Sequence, residues 1–152
     1  MPQNPPEGMP RITPYLAYED ADAAIEWLTR AFAFRERLRS TGSDGSVNHA
    51  ELELEDGGIM IGAPGGDYRN PRETGGARHI FVHAYVDDVD AHFERAKEAG
   101  AAIVAAPADQ AYGDRRYHVE DLEGHQWFFA QHVRDVPAEE WGAVEAGAAT
   151  SS

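Results

Sequence analysis

Histidine and acidic side chains recur in this chain at spacings that could hold a metal ion. His49 and Glu51 are separated by one residue, and His79 and His83 by three. If each pair lies on a β-strand, its members share one face, because side chains alternate across a strand with a period of two. Imidazole nitrogen and carboxylate oxygen are competent ligands for Zn²⁺ and related divalent ions. A divalent metal ion bound by these four residues is therefore one hypothesis.

A second group of candidate residues lies in the segment from Asp109 to Arg116. Tyr112 could stack on a bound molecule and Arg115 could contact an anion, while Gly113 permits the positive φ of a tight turn. The alternative is a purely structural loop in which Asp114 and Arg115 pair with each other. No nucleophile accompanies the acidic and histidine side chains of this segment, and the chain has no cysteine. Covalent catalysis is not predicted.

The spacing of apolar residues predicts the elements that would position these side chains. Strands are predicted over 12–18, 35–39, 47–54 and 58–62, and Asp20 or Asp22 caps a helix after the first strand. A second set of strands is predicted over 79–86, 102–105, 115–120 and 126–132. Its helix is capped by Asp88 and ends at Gly100. The order βαβββ occurs twice, which predicts an α+β fold of tandem modules.

The second half of the sequence repeats the first at an offset of 68 positions, as the pairs Asp20/Asp88 and Met60/Phe128 show. Duplicated modules bury a surface between them, which is where a shared site is expected. We predict one domain over 11–133, with modules at 11–64 and 79–133, a linker at 65–78, and terminal extensions at 1–10 and 134–152. The two modules are expected to curl around a common cavity.

Composition excludes several classes of partner. The net charge of −14, from 27 acidic and 13 basic residues, argues against nucleic acid and anionic membrane surfaces. Without cysteine there are no disulfides or thiolate metal sites. No segment has the run of about 20 apolar residues that a membrane span needs, and the N-terminus does not resemble a signal peptide. A soluble, cytoplasmic protein is the expectation.

The helix entry YEDADAAIEWLTRAFAF and the run YGDRRYHVEDLEGHQW, from Tyr112 to Trp127, resemble the vicinal oxygen chelate superfamily. That superfamily includes glyoxalase I, extradiol dioxygenases and bleomycin-resistance proteins, and the second run is most similar to its glyoxalase/bleomycin-resistance branch. The resemblance covers about 120 residues. It implies paired modules that form a cup-shaped half-barrel, commonly as a homodimer. In metal-dependent members, four His or Glu ligands lie on the first and last strands of each module.

Transferred to this sequence, those four ligand positions are Thr13, Met60, Phe81 and Phe128. Phenylalanine offers a metal ion no donor atom, and threonine and methionine do not replace histidine or carboxylate ligands. Strand alternation adds Tyr15, His83 and Tyr85 to the same faces. The sequence therefore predicts an aromatic cavity with a few polar groups instead of a metal centre.

The function expected from this cavity is metal-independent binding of a small aromatic or amphipathic molecule, for example an antibiotic, by a homodimer without a cofactor. The predicted ligand contacts are Thr13, Tyr15, Met60, Phe81, His83, Tyr85, Tyr112, Arg115 and Phe128. Three alternatives stay open. Phe81, Phe128 and Met60 could fill a solid core; a lyase, isomerase or dioxygenase could use a displaced metal site at His49, Glu51, His79 and His83; or His83 could act as a general base without metal.

Overall fold

The computed structural model describes residues 3–147, which form two successive βαβββ modules. The first contains β1 (Tyr15–Ala17), α1 (Ala21–Phe32), β2 (Arg35–Thr41), β3 (Val47–Leu54) and β4 (Gly57–Gly62). The second contains β5 (Phe81–Tyr85), α2 (Val89–Glu98), β6 (Ala102–Asp109), β7 (Asp114–Glu120) and β8 (Gln126–His132), and a short 3-10 helix follows at Ala138–Trp141.

Each module contributes one four-stranded mixed sheet, and neither sheet closes into a barrel. The strand orders are β1-β4-β3-β2 and β5-β8-β7-β6, so the two sheets have the same topology. The first strand of each module runs parallel to the last, and the other neighbours are antiparallel. The predicted α+β fold of tandem βαβββ modules is confirmed.

Both helices begin at the aspartate that the sequence offers as a cap. The Asp20 side chain accepts a hydrogen bond from the backbone N–H of Ala23, and the Asp88 side chain accepts one from Ala91, each at 3.0 Å. These bonds satisfy amide groups that the first helical turn leaves without a partner. Of the two caps considered for α1, Asp20 is the one used, while Asp22 accepts from the backbone N–H of Val47.

The hydrophobic core joins the two modules through the helix-bearing faces of their sheets. Phe32, at the end of α1, is fully buried and packs against Trp127 and Phe129 of β8, with ring centroids 5.3 and 4.8 Å apart. Phe32 also lies beside His92 of α2, whose imidazole contacts the carbonyl oxygen of Phe32 and the hydroxyl of Tyr117. Burial of these rings contributes hydrophobic stabilisation between the modules.

The loop 121–125 between β7 and β8 holds the first module against the second. Asp121 is buried, and its carboxylate accepts hydrogen bonds from the Tyr18 hydroxyl (2.6 Å), the Trp127 indole N–H (3.1 Å) and two backbone amides. Glu123 accepts from the backbone N–H groups of Glu19 and Asp20. The DLEGH sequence therefore forms an inter-module clamp, which we call the 121–125 clamp.

Gly124 permits the clamp to approach the linker closely. Its φ is +95°, and a Cβ added there would lie 2.8 Å from the backbone nitrogen of Arg72. The Arg72 guanidinium in turn donates to the carbonyl oxygens of Asp121 and Leu122. Any side chain at position 124 would push these backbones apart.

The constant offset between the modules, which the sequence suggests, fails at one strand. Glu51 pairs with Met60, whereas His118 pairs with Phe128, so β7 is displaced by one residue from the repeat that relates β4 to β8. The connection in the second module, residues 121–125, is longer than the two-residue turn at Glu55 and Asp56. A one-residue displacement reverses which side chains face the core, because strand side chains alternate.

The two chain ends contact the modules where the structure describes them. Met9 and Pro10 line a cavity of about 260 Å³ on the first module together with Thr13 and Met60, and the Trp141 ring lies 5.6 Å from that of Tyr112. The predicted extensions also include residues 1–2 and 148–152, which lie outside the described residues. Between residues 3 and 147, no helix has the length and apolar character required to traverse a bilayer.

Candidate functional site

The face of each sheet opposite its helix is partly solvent-exposed, and we call it the open face. On the first module, Ala50, Leu52, Ile59 and Ile61 are buried toward α1, so the alternate residues face outward. The outward set on this sheet includes Tyr15, His49, Glu51 and Met60, because Tyr15 and Glu51 both pair with Met60 and paired residues share a face. Thr13 borders the same cavity as Met60.

Tyr15 is the most exposed aromatic ring on the first open face, and yet its position is fixed. Its side chain is 57% exposed, while its hydroxyl donates to His49 Nδ1 at 2.8 Å. The ring lies against Gly62, where a Cβ would come within 2.6 Å of Tyr15 Cε1. Glycine at this position leaves room for the ring to lie flat on the sheet.

The hydrogen bond to Tyr15 continues through His49 to an acidic side chain. His49 Nε2 lies 3.4 Å from a carboxylate oxygen of Glu51, which also forms an ion pair with Arg37. The order of contacts assigns the Nε2–H as donor to Glu51 and Nδ1 as acceptor from Tyr15. The hydrogen bonds that link Tyr15, His49 and Glu51 thereby orient the exposed phenol of Tyr15. The charge of Glu51 is compensated by Arg37.

The open face of the second module is more aromatic. Phe81 of β5 and Phe128 of β8 have ring centroids 5.1 Å apart, and His118 lies 4.5 Å from Phe128. Phe81 is 43% exposed and Phe128 is half-buried, so neither ring belongs to the buried core. The solid-core interpretation of Phe81, Phe128 and Met60 is therefore wrong: their strands turn them away from the helices.

Tyr85 and His83 extend this aromatic face along β5. Their rings are 5.0 Å apart, and both side chains are exposed. Partial burial, and then the positive charge of Arg116, lower the pKa of His83 below its usual value, although Asp114 acts in the opposite direction. His83 is consequently a neutral imidazole at neutral pH, able to donate one hydrogen bond and accept another.

A buried carboxylate anchors the end of this face. Asp114 is only 3% exposed, and it accepts hydrogen bonds from the Tyr85 hydroxyl at 3.0 Å and from His132 Nδ1 at 2.8 Å. His132 Nε2 in turn contacts Asp135 at 2.8 Å. Both ring nitrogens thus face carboxylates, which raises the pKa of His132 and favours its cationic form. Asp114 therefore pairs with Tyr85 and His132, and not with Arg115.

The structure corrects the expected position of Arg115. Tyr117 and Val119 are buried beneath α2, and Arg115 shares their side of β7, where it pairs with Asp90 at 3.0 Å and Asp109 at 3.2 Å. It is the next residue, Arg116, that lies on the open face. Its guanidinium carbon is 4.1 Å from the centre of the Phe128 ring and 5.7 Å from that of Tyr112.

Tyr112 therefore lies beside the second open face, next to Arg116, and its role as a ligand contact stays a prediction. Gly113 adopts a φ of +101°, a conformation that glycine permits, and a Cβ would fall 2.1 Å from the carbonyl oxygen of Arg134. This close approach fixes the loop that presents Tyr112. Because the register of β7 is displaced by one residue, the prediction from the sequence placed Arg115 on the open face, where the structure has Arg116.

The fold and these two faces agree with the similarity of the chain to known proteins. A sequence model of the Glyoxalase/Bleomycin resistance protein/Dioxygenase superfamily matches residues 8–129. The chain belongs to this superfamily. An uncharacterized protein from Mycobacterium bovis is 38% identical over 136 residues, which cover 86% of this chain and 89% of that protein. Membership confirms the resemblance to the vicinal oxygen chelate superfamily.

Solved structures support the same assignment. TioX from Micromonospora sp. ML1 has 39% sequence identity and a TM-score of 0.66, with 82% of this chain and 99% of that chain covered. A glyoxalase-related enzyme from Clostridium phytofermentans has 13% identity and a TM-score of 0.62, covering 82% of this chain and 96% of that one. The second similarity is one of fold alone.

The residues at the superfamily's metal-ligand positions do not fit a divalent ion. Thr13 and Met60 lie together on the first open face, and Phe81 and Phe128 lie together on the second. Two of these four side chains have no donor atom, and the other two provide a hydroxyl and a thioether in place of imidazole or carboxylate. No step of a metal-dependent reaction can be derived from this set.

The displaced metal site is also not assembled. His49 and Glu51 belong to the first sheet, whereas His83 lies on β5 of the second and His79 precedes that strand. Within residues 3–147, no group of three or more histidine, cysteine, aspartate or glutamate side chains is arranged to hold a metal ion. His49 and Glu51 instead engage Tyr15 and Arg37.

The predicted ligand contacts form two groups within one chain. Thr13, Tyr15 and Met60 lie on the first open face, and Phe81, His83, Tyr85, Tyr112 and Phe128 lie on the second. In the described part of the chain, no ring contact or hydrogen bond joins the two faces; the modules meet through α1, α2, β8 and the 121–125 clamp. A cavity of about 350 Å³ does lie between the modules within one copy, and its lining includes Gly58 of the first sheet and His83 and Tyr85 of the second.

Proposed function

We propose that this protein binds a flat, partly polar aromatic molecule on its open faces, without chemical turnover and without a metal ion. The main observation behind the proposal is that aromatic rings are held in place and yet exposed: Tyr15 is 57%, Phe81 43% and Tyr85 59% exposed. Such rings offer stacking area at little entropic cost, because their rotamers are already fixed.

Two further observations support this function. The superfamily to which the chain belongs includes bleomycin resistance proteins by name, and the chain has aromatic or weakly coordinating residues where metal-dependent relatives keep ligands. An antibiotic is therefore one class of ligand to test. Protection would then follow from mass action, with the bound fraction set by protein concentration and affinity.

The test is equilibrium binding of planar compounds with two or three fused rings, measured by calorimetry on metal-free protein. Phe81→Ala is expected to weaken binding about tenfold, because it removes one stacking surface. Val144→Ala is the control, since Val144 is 74% exposed and lies outside the strands of both open faces. Turnover of a bound compound, or binding that requires added Zn²⁺, would contradict the proposal.

The ligand site we propose is completed by a second copy of the chain. β1 and β5 are edge strands, and Ile12 and Ile80, which precede them at equivalent places in the repeat, are 87% and 71% exposed. Edge strands with exposed apolar residues are surfaces that proteins normally cover. In a two-fold symmetric homodimer, β1 of each copy could pair with β5 of the other. The first open face of each copy would then lie next to the second open face of its partner, which gives two equivalent composite sites.

The homodimer is tested by light scattering and native mass spectrometry. We expect the wild-type protein to have twice the monomer mass, and Ile80→Glu to shift it toward the monomer. Val144→Glu, at a residue that is 74% exposed and distant in sequence from both edges, is the control. A wild-type protein that stays monomeric at micromolar concentration would refute the composite site.

One observation favours a second candidate function, an enzyme that uses acid–base chemistry without metal. Tyr15, His49 and Glu51 form a hydrogen-bonded chain that ends at an exposed phenol. Such a chain can move a proton to or from a bound molecule. Turnover that persists in the presence of a chelator and is lost in both Tyr15→Phe and His49→Gln would establish this enzyme function. Unchanged turnover in either variant would contradict it.

A further inference from the structure

Arg116 is unusual among the arginines of this protein because it is half-buried and has no acidic partner. Its neighbour Arg115 pairs with two aspartates, and the guanidinium groups of Arg35, Arg37 and Arg39 pair with carboxylates of the first module. Within residues 3–147, Arg116 takes part in no ion pair or side-chain hydrogen bond. The other arginines without an acidic or carbonyl partner are exposed: Arg11, Arg30, Arg78 and Arg134.

The surroundings of Arg116 hold the guanidinium in one place. It stacks on Phe128 at 4.1 Å from one side and approaches Tyr112 at 5.7 Å, while Trp141 lies 5.6 Å behind Tyr112. Phe128 is itself packed against Phe81. A guanidinium stacked on aromatic rings keeps its N–H donors free at its edge, because stacking uses only its faces.

The acidic side chains near Arg116 are already engaged. Asp114, the next acidic residue on the same side of β7, accepts from Tyr85 and His132. His83, which also lies close to Arg116, provides no negative charge whether it is neutral or protonated. In a chain with 27 acidic residues, a half-buried cation without a carboxylate is exceptional, and it leaves five N–H donors for another group.

From this geometry we propose that Arg116 is the specificity-determining residue of the second open face and that the ligand is an aromatic acid: a planar ring system bearing a carboxylate or a comparable anionic group. The ring stacks beside Phe128 and Phe81, and the anionic group accepts two hydrogen bonds from the guanidinium edge. This inference rests on the proposed aromatic binding function and adds the charge of the ligand to it.

The test compares two probes of the same ring and similar shape, the anionic 2-naphthoate and the neutral 2-naphthamide, by calorimetry on the wild-type protein at neutral pH. A charge-assisted pair at a partly buried site favours the acid about tenfold or more over the amide. Arg116→Gln is expected to bring the acid-to-amide ratio close to one while amide binding persists. Arg115→Gln is the matched control, and its ratio is expected to equal that of the wild type.

The possible results separate this inference from the function on which it rests. Equal wild-type affinities for acid and amide overturn the anion site and leave aromatic binding intact. Binding of neither probe overturns aromatic binding and the anion site together. If Arg115→Gln loses the preference for the acid and Arg116→Gln keeps it, the anion binds on the face of the sheet that carries α2, and the proposal for Arg116 is overturned. The wild-type ratio must also fall as salt is added, a measurement that needs no variant.

Discussion

Replacing Asp121 with asparagine tests whether the 121–125 clamp holds the two modules together. The buried carboxylate accepts four hydrogen bonds: two from backbone N–H groups at Oδ1, and two from Tyr18 and Trp127 at Oδ2. Asparagine can keep the first two with its carbonyl oxygen, but it then presents an NH₂ group to two donors. The Tyr18 hydroxyl can rotate to accept a bond, whereas the Trp127 indole N–H cannot.

The expected loss of stability follows from these contacts. A hydrogen bond to a charged group contributes roughly 1.5–3 kcal/mol, and an unsatisfied buried donor costs about 1–3 kcal/mol. The neutral amide is less costly to desolvate than a carboxylate, which offsets part of this loss. We therefore expect Asp121→Asn to reduce the free energy of unfolding by about 2–4 kcal/mol, equivalent to a Tm lowered by roughly 5–15 °C.

The assay is urea unfolding followed by circular dichroism at one fixed protein concentration, with the slope of the transition checked for change. Asp87→Asn is the control, because Asp87 is exposed, and its effect is expected within about 0.5 kcal/mol. In a double-mutant cycle, adding Tyr18→Phe to Asp121→Asn should cost less than the sum of the single changes, by about 1 kcal/mol. Additive effects, or a loss below about 0.5 kcal/mol for Asp121→Asn, would refute the clamp.

Two further predictions concern His132 and Gly124. The pKa of His132 is raised above its ordinary value of 6.5 by Asp114 and then Asp135, so its contribution to stability is full below that value and is lost as pH rises through the folded-state pKa. The difference in unfolding free energy between wild type and His132→Gln should therefore shrink from pH 6 toward pH 9, and a difference that stays constant or grows over this range would contradict the prediction. Gly124→Ala should cost about 2 kcal/mol or more, because a clash with the Arg72 backbone is added to the strain of a positive φ; Gly66→Ala, with positive φ and no atom within 4 Å, should cost only about 1 kcal/mol, and equal losses would contradict the clash.

Local patterns in the sequence predicted the elements of the fold well. The face of α1 that includes Leu28 and Phe32 is buried as its spacing requires, Asp20 and Asp88 cap the helices, and the strands over 47–54 and 126–132 have the predicted bounds. These features depend on residues a few positions apart, so spacing alone determines them. Whether the domain ends at 11 and 133, and in which compartment the protein is found, stay predictions.

Contacts between distant parts of the chain could not be predicted in the same way. Tyr18 and Asp121 are 103 positions apart, and only the packed modules bring them within hydrogen-bonding distance. The assignment of Arg115 failed for a related reason. The connection between β7 and β8 displaces β7 by one residue from the repeat, and one residue is enough to exchange Arg115 and Arg116 between the faces of the sheet.

The same register shows how the two modules have diverged on a shared backbone. Tyr15 and His83 occupy equivalent places in the two modules. Tyr15 pairs with Met60, His83 pairs with Phe128, and Met60 and Phe128 are themselves equivalent in the repeat. By the same rule Glu51 corresponds to His118.

His49 and Arg116 are equivalent as well, because they lie opposite Gly62 and Ala130. At these places the first open face has a hydrogen-bonding tyrosine, histidine and glutamate, whereas the second has an aromatic surface with a free guanidinium. If two copies pair as we propose, a ligand between the faces meets unlike chemistry on its two sides: the guanidinium of Arg116 attracts an anionic group, whereas Arg37 on the first module already pairs with Glu51 and Glu53. The pseudo-symmetric backbone would then bind an aromatic acid in a single orientation, because reversing the ligand would move the anion away from Arg116 to a face whose arginine is already paired.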